Sequence, residues 1–319
     1  MVVVSLLPAL AISGIGWSDG AHIASLSGLA VLIACILGKG WRTGLVICLP
    51  FALFAGLANW TATDPWLAAI VLAAAAFLRG YAAKAGMHDA LTWCAIALGF
   101  ILASPVSIAG SLPATWAIGV ALLSLGCGLW ATLVMFLMRN RLHARQHTGL
   151  GSIRVLAFSM ALAFLVGTAT WFVVDLRLGQ AGGWIILTIL VVFQPSLGAG
   201  FTKAAGRAAG TVLGICVAFL VGLLLADHWA VYLIGTACLI ASFLLLLQRR
   251  PYWLFVAFLT PGIVLLDSAG STVQAVAQER LVATLVGVVG TVLLMLALSP
   301  LGKHLAAGPV NGYAQPSAS

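Results

Sequence analysis

Charge is what this sequence has least of. Of its 319 residues only 7% are charged, while 63% are apolar. A soluble globular chain carries about a quarter charged and about half apolar residues. One soluble core cannot absorb such an excess, because cores stop growing near this chain length. Hydrocarbon is the solvent that accepts the surface. Strand-like alternation is missing too. A membrane barrel would alternate apolar with polar residues along each strand, and runs such as 212–226 and 285–298 do not. Backbone N–H and C=O groups in lipid must be paired internally, so the spans are helices.

Acids are scarcer than bases, 7 against 15, for a net charge of +8. No basic run alternates with aromatics in a polar segment, which argues against nucleic-acid binding. The six cysteines (Cys35, Cys48, Cys94, Cys127, Cys216, Cys238) all lie in apolar runs without a CxxC or a histidine at ligand spacing. They read as small packing residues, and no metal is expected. Hydrolase-elbow, P-loop, HExxH and kinase motifs are absent. Neither an enzyme nor a cofactor is therefore expected. Residues 1–16 lack a basic leader and read as a first span rather than a cleaved signal. Asn59-Trp60-Thr61 matches a glycosylation sequon, which matters only in a secretory-pathway host.

What is present is a series of apolar stretches broken at charged or Gly/Pro/Asp clusters. They predict an all-α polytopic transmembrane bundle of about twelve spans. The expected spans are 2–16, 20–38, 43–60, 66–83, 90–105, 113–138, 154–174, 182–199, 205–226, 229–247, 252–267 and 280–299. With both termini cytoplasmic, every Lys and Arg except Arg177 and Arg280 falls on cytoplasmic loops, as basic residues do. Every acid except Asp89 falls on the other side.

The chain also reads as duplicated. Gly16 to Asp19 resembles Trp171 to Asp175, and Asp64-Pro65-Trp66 resembles Asp227-His228-Trp229. The expected organisation is an N-terminal transmembrane repeat (1–140), a basic cytoplasmic linker (141–153), a C-terminal repeat (154–300) and a flexible tail (301–319). A finer symmetry lies in the C-terminal half. Arg207-Ala208-Ala209-Gly210-Thr211-Val212-Leu213-Gly214 parallels Arg280-Leu281-Val282-Ala283-Thr284-Leu285-Val286-Gly287. Each copy is expected to open a span, three spans apart and so on opposite faces, the trace of a three-plus-three inverted repeat.

The middle spans of those units contain Gln194-Pro195-Ser196 and Thr260-Pro261-Gly262. Proline removes a backbone donor and clashes with the preceding turn. Paired interruptions point to a transporter's binding site; kinks satisfied by neighbouring helices are the alternative. Arg207 and Arg280 sit where a helix dipole does not favour a cation. They serve either to clamp an anion or to snorkel to headgroups. Trp184 and Thr188 lie one turn apart on one face, the indole either stacking on substrate or anchoring at the interface. Gly210, Gly214 and Ala218, like Ala283, Gly287 and Thr291, form small-residue faces for close helix approach. No acid lies deep in a predicted span, so an anion exporter would run on potential, which supplies about 2.3 kcal/mol per charge at 100 mV.

The stretches Gly182-Gly183-Trp184 to Thr188, Gln194 to Ala199 and Arg207 to Gly214, with Tyr252 to Thr260 and Arg280 to Gly287, resemble the fusaric acid resistance-like superfamily. That group includes bacterial aromatic acid exporters and plant aluminium-activated malate channels. The resemblance covers about residues 154–299. It implies export of small organic anions, often aromatic carboxylates, from the cytoplasm across a bacterial inner membrane. It also implies a homo-oligomer or a periplasmic adaptor subunit as partners, although the sizeable cytoplasmic domain of bacterial members is replaced here by the short linker at 139–154. The expected substrate-binding residues are Trp184, Thr188, Gln194, Pro195, Ser196, Arg207, Thr260, Pro261 and Arg280. An anion channel and a non-transporting scaffold subunit are the competing expectations. Whichever holds, the protein should stay in membrane pellets washed with alkaline carbonate and leave them only with detergent; release into aqueous buffer would overturn the architecture.

Overall fold

The computed structural model describes residues 2–106, 113–138, 152–225, 229–248, 250–268 and 272–306. Among these residues every regular element is helical. The helices are α1 (Val2–Ser5), α2 (Leu7–Gly14), α3 (Ser18–Leu37), α4 (Trp41–Thr61), α5 (Pro65–Tyr81), α6 (His88–Ala103), α7 (Pro113–Leu137), α8 (Ser152–Asp175), α9 (Gly179–Val192), α10 (Leu197–Leu224), α11 (Ala230–Leu247), α12 (Tyr252–Asp267) and α13 (Val273–Ala306). Seven of them, α3, α4, α5, α7, α8, α10 and α13, are long and apolar enough to cross a membrane. The remaining apolar helices α6, α9, α11 and α12 are shorter. At 14 residues and 1.5 Å per residue, α9 spans about 21 Å, against roughly 30 Å of hydrocarbon.

Each expected span holds a helix, but several boundaries move. The expected span 182–199 stops at Val192, and α10 starts at Leu197 rather than 205. Pro195 lies in the turn between them, with Ser196 capping α10: its Oγ accepts the Ala199 N–H at 3.4 Å. That turn replaces the expected break within a span. The other expected break is absent. Pro261 lies inside a continuous α12, where closely packed neighbours hold the helix together through the missing donor. The Arg207 and Arg280 motifs do not open their helices; both arginines sit well inside α10 and α13. Helix α13 runs on to Ala306, past the expected boundary at 300. Most of the basic linker, the tail beyond 306 and the Asp227-His228 pair lie outside the described residues.

Sequence explains the helix starts. Asp64 Oδ1 accepts the N–H groups of Trp66 and Leu67 at 2.9 and 3.0 Å, and Pro65 occupies the first turn, where its missing donor costs nothing. Leucines and valines point outward along α4, α5 and α10, among them Val46, Leu49, Leu53, Ile70, Leu213, Leu220 and Leu223. Such a coat suits lipid contact, the reverse of a soluble surface. Shorter helices take the middle. On α9, ten residues are buried, Trp184 and Thr188 among them. Helix α6 is similarly enclosed and lies against α3 and α9. Around them α4 runs along α7, α5 along α8, α10 along both α12 and α13, and α13 along α9.

The two ends of the bundle are told apart by who meets there. At one end Asp89 at the start of α6 pairs with Lys203 near the start of α10, 3.4 Å apart. Asp89, the one acid assigned to the basic face, thus has a basic partner there. At the other end Gln180 Nε2 donates to Asp267 Oδ2 at 3.1 Å, Trp66 meets Trp171 at 5.7 Å, and Asn59 holds the chain just after α6. There Asn59 Oδ1 accepts the Val106 N–H at 2.8 Å and Asn59 Nδ2 donates to the Val106 carbonyl at 3.2 Å. The amide of the sequon is buried and fully engaged, which leaves it unfit for a glycan. Asn59→Ala strips both partners from a buried backbone unit and should lower stability in detergent by about 2–4 kcal/mol. A chemical-denaturation curve equal to wild type would contradict this.

Candidate functional site

The largest fully buried side chains among the described residues are three arginines: Arg79, Arg207 and Arg280, each 1% exposed. Charges at this depth are rare and need polar company. The three differ in what company they have.

Arg79 closes α5. Its Nε donates to Thr92 Oγ1 of α6 at 2.8 Å, and Nη1 donates to the Phe193 carbonyl at 3.4 Å. Its guanidinium lies 5.7 Å from the Phe158 ring of α8, which stacks on Phe193 at 5.5 Å. Phe193 ends α9, where unpaired carbonyls and the helix dipole attract a cation. Arg79 therefore joins α5, α6, α8 and α9 and explains why α9 can stop early. Nothing in the local sequence separates it from an ordinary loop arginine; the sequence-based reading placed it on a cytoplasmic loop.

Arg207 and Arg280 lie on helices that pack against each other, α10 and α13. Their guanidiniums lie close enough for the two charges to act on each other. Close helix packing makes this meeting geometrically feasible. A Cβ on Gly214 would come within 2.6 Å of Thr260 and 2.7 Å of Pro261; one on Gly287 would come within 2.7 Å of Thr188. Only glycine lets α10 and α13 lie so close to α12 and α9. The expected site residues Thr188, Thr260 and Pro261 are thus brought against the two motif helices. Trp184 is brought in as well. The Arg280 guanidinium carbon stands 3.8 Å from its ring centroid, a close cation–π contact. Phe100 of α6 meets the same indole at 4.5 Å, edge on. Trp184 is therefore a buried partner of Arg280 rather than an interfacial anchor. Trp253, by contrast, is exposed.

What the pair lacks is an acceptor. Arg207 Nε and Nη2, and all three nitrogens of Arg280, are enclosed without a hydrogen-bond partner among the described residues. Tyr252, which sequence reasoning did not select, brings its enclosed hydroxyl beside Arg207 without a well-aligned hydrogen bond. Its position at the start of α12 gave no signal in the sequence. Buried threonines sharpen the contrast. Thr92, Thr132, Thr170, Thr188 and Thr291 each donate to the carbonyl four residues earlier. Thr211, Thr260 and Thr284 leave their enclosed hydroxyls unpaired. Thr211 and Thr284 stand one turn beyond Arg207 and Arg280, on the same helix faces. The pair thus holds five enclosed guanidinium nitrogens without an acceptor among the described residues. Gln194, Pro195 and Ser196 are not part of this cluster. Gln194 Nε2 donates to the Val191 carbonyl at 2.8 Å, within the turn after α9.

Residues 168–294 match the model of the family described as fusaric acid resistance protein-like. The matched stretch contains the arginine pair, Trp184 and Tyr252. No curated protein and no solved structure matches the chain.

Arg79→Gln loses charge-assisted hydrogen bonds to Thr92 and to the end of α9, and should cost about 2–3 kcal/mol. Arg79→Lys should recover part of it, since an ammonium cannot span both acceptors as a planar fork does. Equal unfolding midpoints in detergent for wild type and both variants would contradict the bridging role.

Proposed function

We propose, from the match of residues 168–294 to the fusaric acid resistance protein-like model, that the chain is an inner-membrane permease exporting small organic anions, aromatic carboxylates among them. The observation that carries this reading is the pair of buried guanidiniums, Arg207 and Arg280, with five nitrogens lacking any protein acceptor. Buried charges left unpaired cost several kcal/mol each, and a carboxylate is the natural complement of a guanidinium fork. Trp184 adds a ring face beside Arg280, which suits a flat guest. In this reading Arg207, Arg280 and Trp184 hold the anion, Thr188, Thr260 and Pro261 line its surroundings, and Gln194, Pro195 and Ser196 form the turn at one end of the path.

The architecture we infer has twelve crossings, both termini in the cytoplasm and two six-helix halves. Helices α8–α10 and α11–α13 are inverted copies within the second half. The matching Arg207 and Arg280 motifs support this, as does the reciprocal packing of Gly214 on α12 and Gly287 on α9. Full enclosure of the guanidinium nitrogens favours an occluded carrier over an open channel. It is also the observation on which a non-transporting scaffold reading would rest.

Proteoliposomes loaded with a panel of aromatic acids test the proposal. Saturable efflux is expected, and Arg207→Ala and Arg280→Ala should each reduce it by roughly ten- to a hundredfold, the value of one or two charge-assisted hydrogen bonds. Efflux that never saturates, or that Arg207→Ala leaves unchanged, would sink the reading. Discrete unitary currents in planar bilayers would replace the carrier by a channel.

A further inference from the structure

We propose that the protein works as an anion exchanger: the arginine site closes readily only around an anion, so each outward passage is returned by a second anion moving the other way. This rests on the permease reading above and specifies its coupling.

The argument starts from what surrounds the two charges. Arg207 of α10 and Arg280 of α13 are both 1% exposed, and each acts electrostatically on the other. The side chains placed beside them, Trp184 at Arg280 and Tyr252 at Arg207, are both neutral. The acid whose field reaches Arg280 is Asp267. That residue lies at the exposed end of α12, hydrogen-bonded to Gln180 and influenced by His22 of α3. Asp89, the acid at the other end, is engaged by Lys203. Arg79 is the internal control. The same fold buries that guanidinium with acceptors from α6 and α9 and leaves only its Nη2 without a partner, whereas two nitrogens of Arg207 and all three of Arg280 have none among the described residues.

Two like charges enclosed together in a low-dielectric interior raise each other's energy, and desolvation adds to it. A carboxylate between the guanidiniums removes both penalties at once. Enclosure is therefore coupled to occupancy. A carrier that alternates between two faces must pass through its enclosed form in both directions. With an anion bound the passage is easy; without one it is opposed by the pair itself. Return then depends on an anion from the far side.

The test uses full-length wild-type protein in proteoliposomes loaded with radiolabelled benzoate, the membrane potential clamped at zero. Efflux is followed into buffer without a transportable anion and into buffer containing unlabelled benzoate. External benzoate should accelerate efflux by roughly tenfold or more, the size of an ordinary linkage between two equilibria. Arg280→Gln removes one of the repelling charges, so its two efflux rates should approach each other, whereas Arg280→Lys keeps the charge and should keep the dependence on external anion. Equal wild-type rates with and without external benzoate would overturn exchange while leaving permeation intact. Absence of saturable flux in either buffer would overturn the permease reading and exchange with it. The wild-type comparison decides the matter even where a variant fails to fold.

Discussion

A guanidinium surrounded by hydrocarbon-coated helices must find something polar or make it available, and this bundle arranges three such cases. Arg79 is met by Thr92, by the buried end of α9 and by an aromatic ring. That arrangement lets α9 stop in the turn after Val192, because a cation sits where the helix leaves carbonyls unpaired. It also ties α5 and α6 of the first half to α8 and α9 of the second. Arg207 and Arg280 are met by each other, by an indole and by hydroxyls that accept poorly as a set. The first arrangement joins four helices; the second leaves five guanidinium nitrogens without a partner among the described residues.

Small residues make the second arrangement reachable. Gly214 and Gly287 stand where any side chain would collide with Thr260, Pro261 or Thr188, so α10 and α13 come in close. Pro261 contributes locally. Lacking an N–H, it frees the Ala257 carbonyl four residues back, and the Gly214 Cβ position lies 3.0 Å from that oxygen. The freed acceptor is covered by a close-packed backbone, and α12 stays continuous. Strain is thus absorbed by packing between helices, and the polar capacity of the site resides in side chains rather than in unwound backbone.

Much of the fold was legible along the chain. Low charge and unbroken apolar stretches imply lipid-embedded helices, and each expected stretch holds one. The matching Arg207 and Arg280 motifs could be read for the same reason: repeated spacing is visible without a structure. Interruptions were read less well. A Pro-containing stretch looks alike whether it breaks a helix, as Pro195 does at a turn, or is carried through one, as Pro261 is. Length was misjudged at α9 because Gln194 to Ala199 remains apolar enough to pass as the end of a span. Arg79 and Tyr252 gave no local sign, since their importance comes entirely from what faces them.

What the sequence by itself determined is the solvent and the secondary structure: hydropathy and local capping act over a few neighbouring residues, and those neighbours are visible in one dimension. Only the tertiary structure decided which of fifteen basic residues are buried and which of the buried ones lack an acceptor. Those properties depend on contacts between helices as distant in the chain as α5 and α9 or α10 and α13. The burial of Arg207 and Arg280 arises from that packing, in which α10 and α13 lie against each other and against α12 and α9.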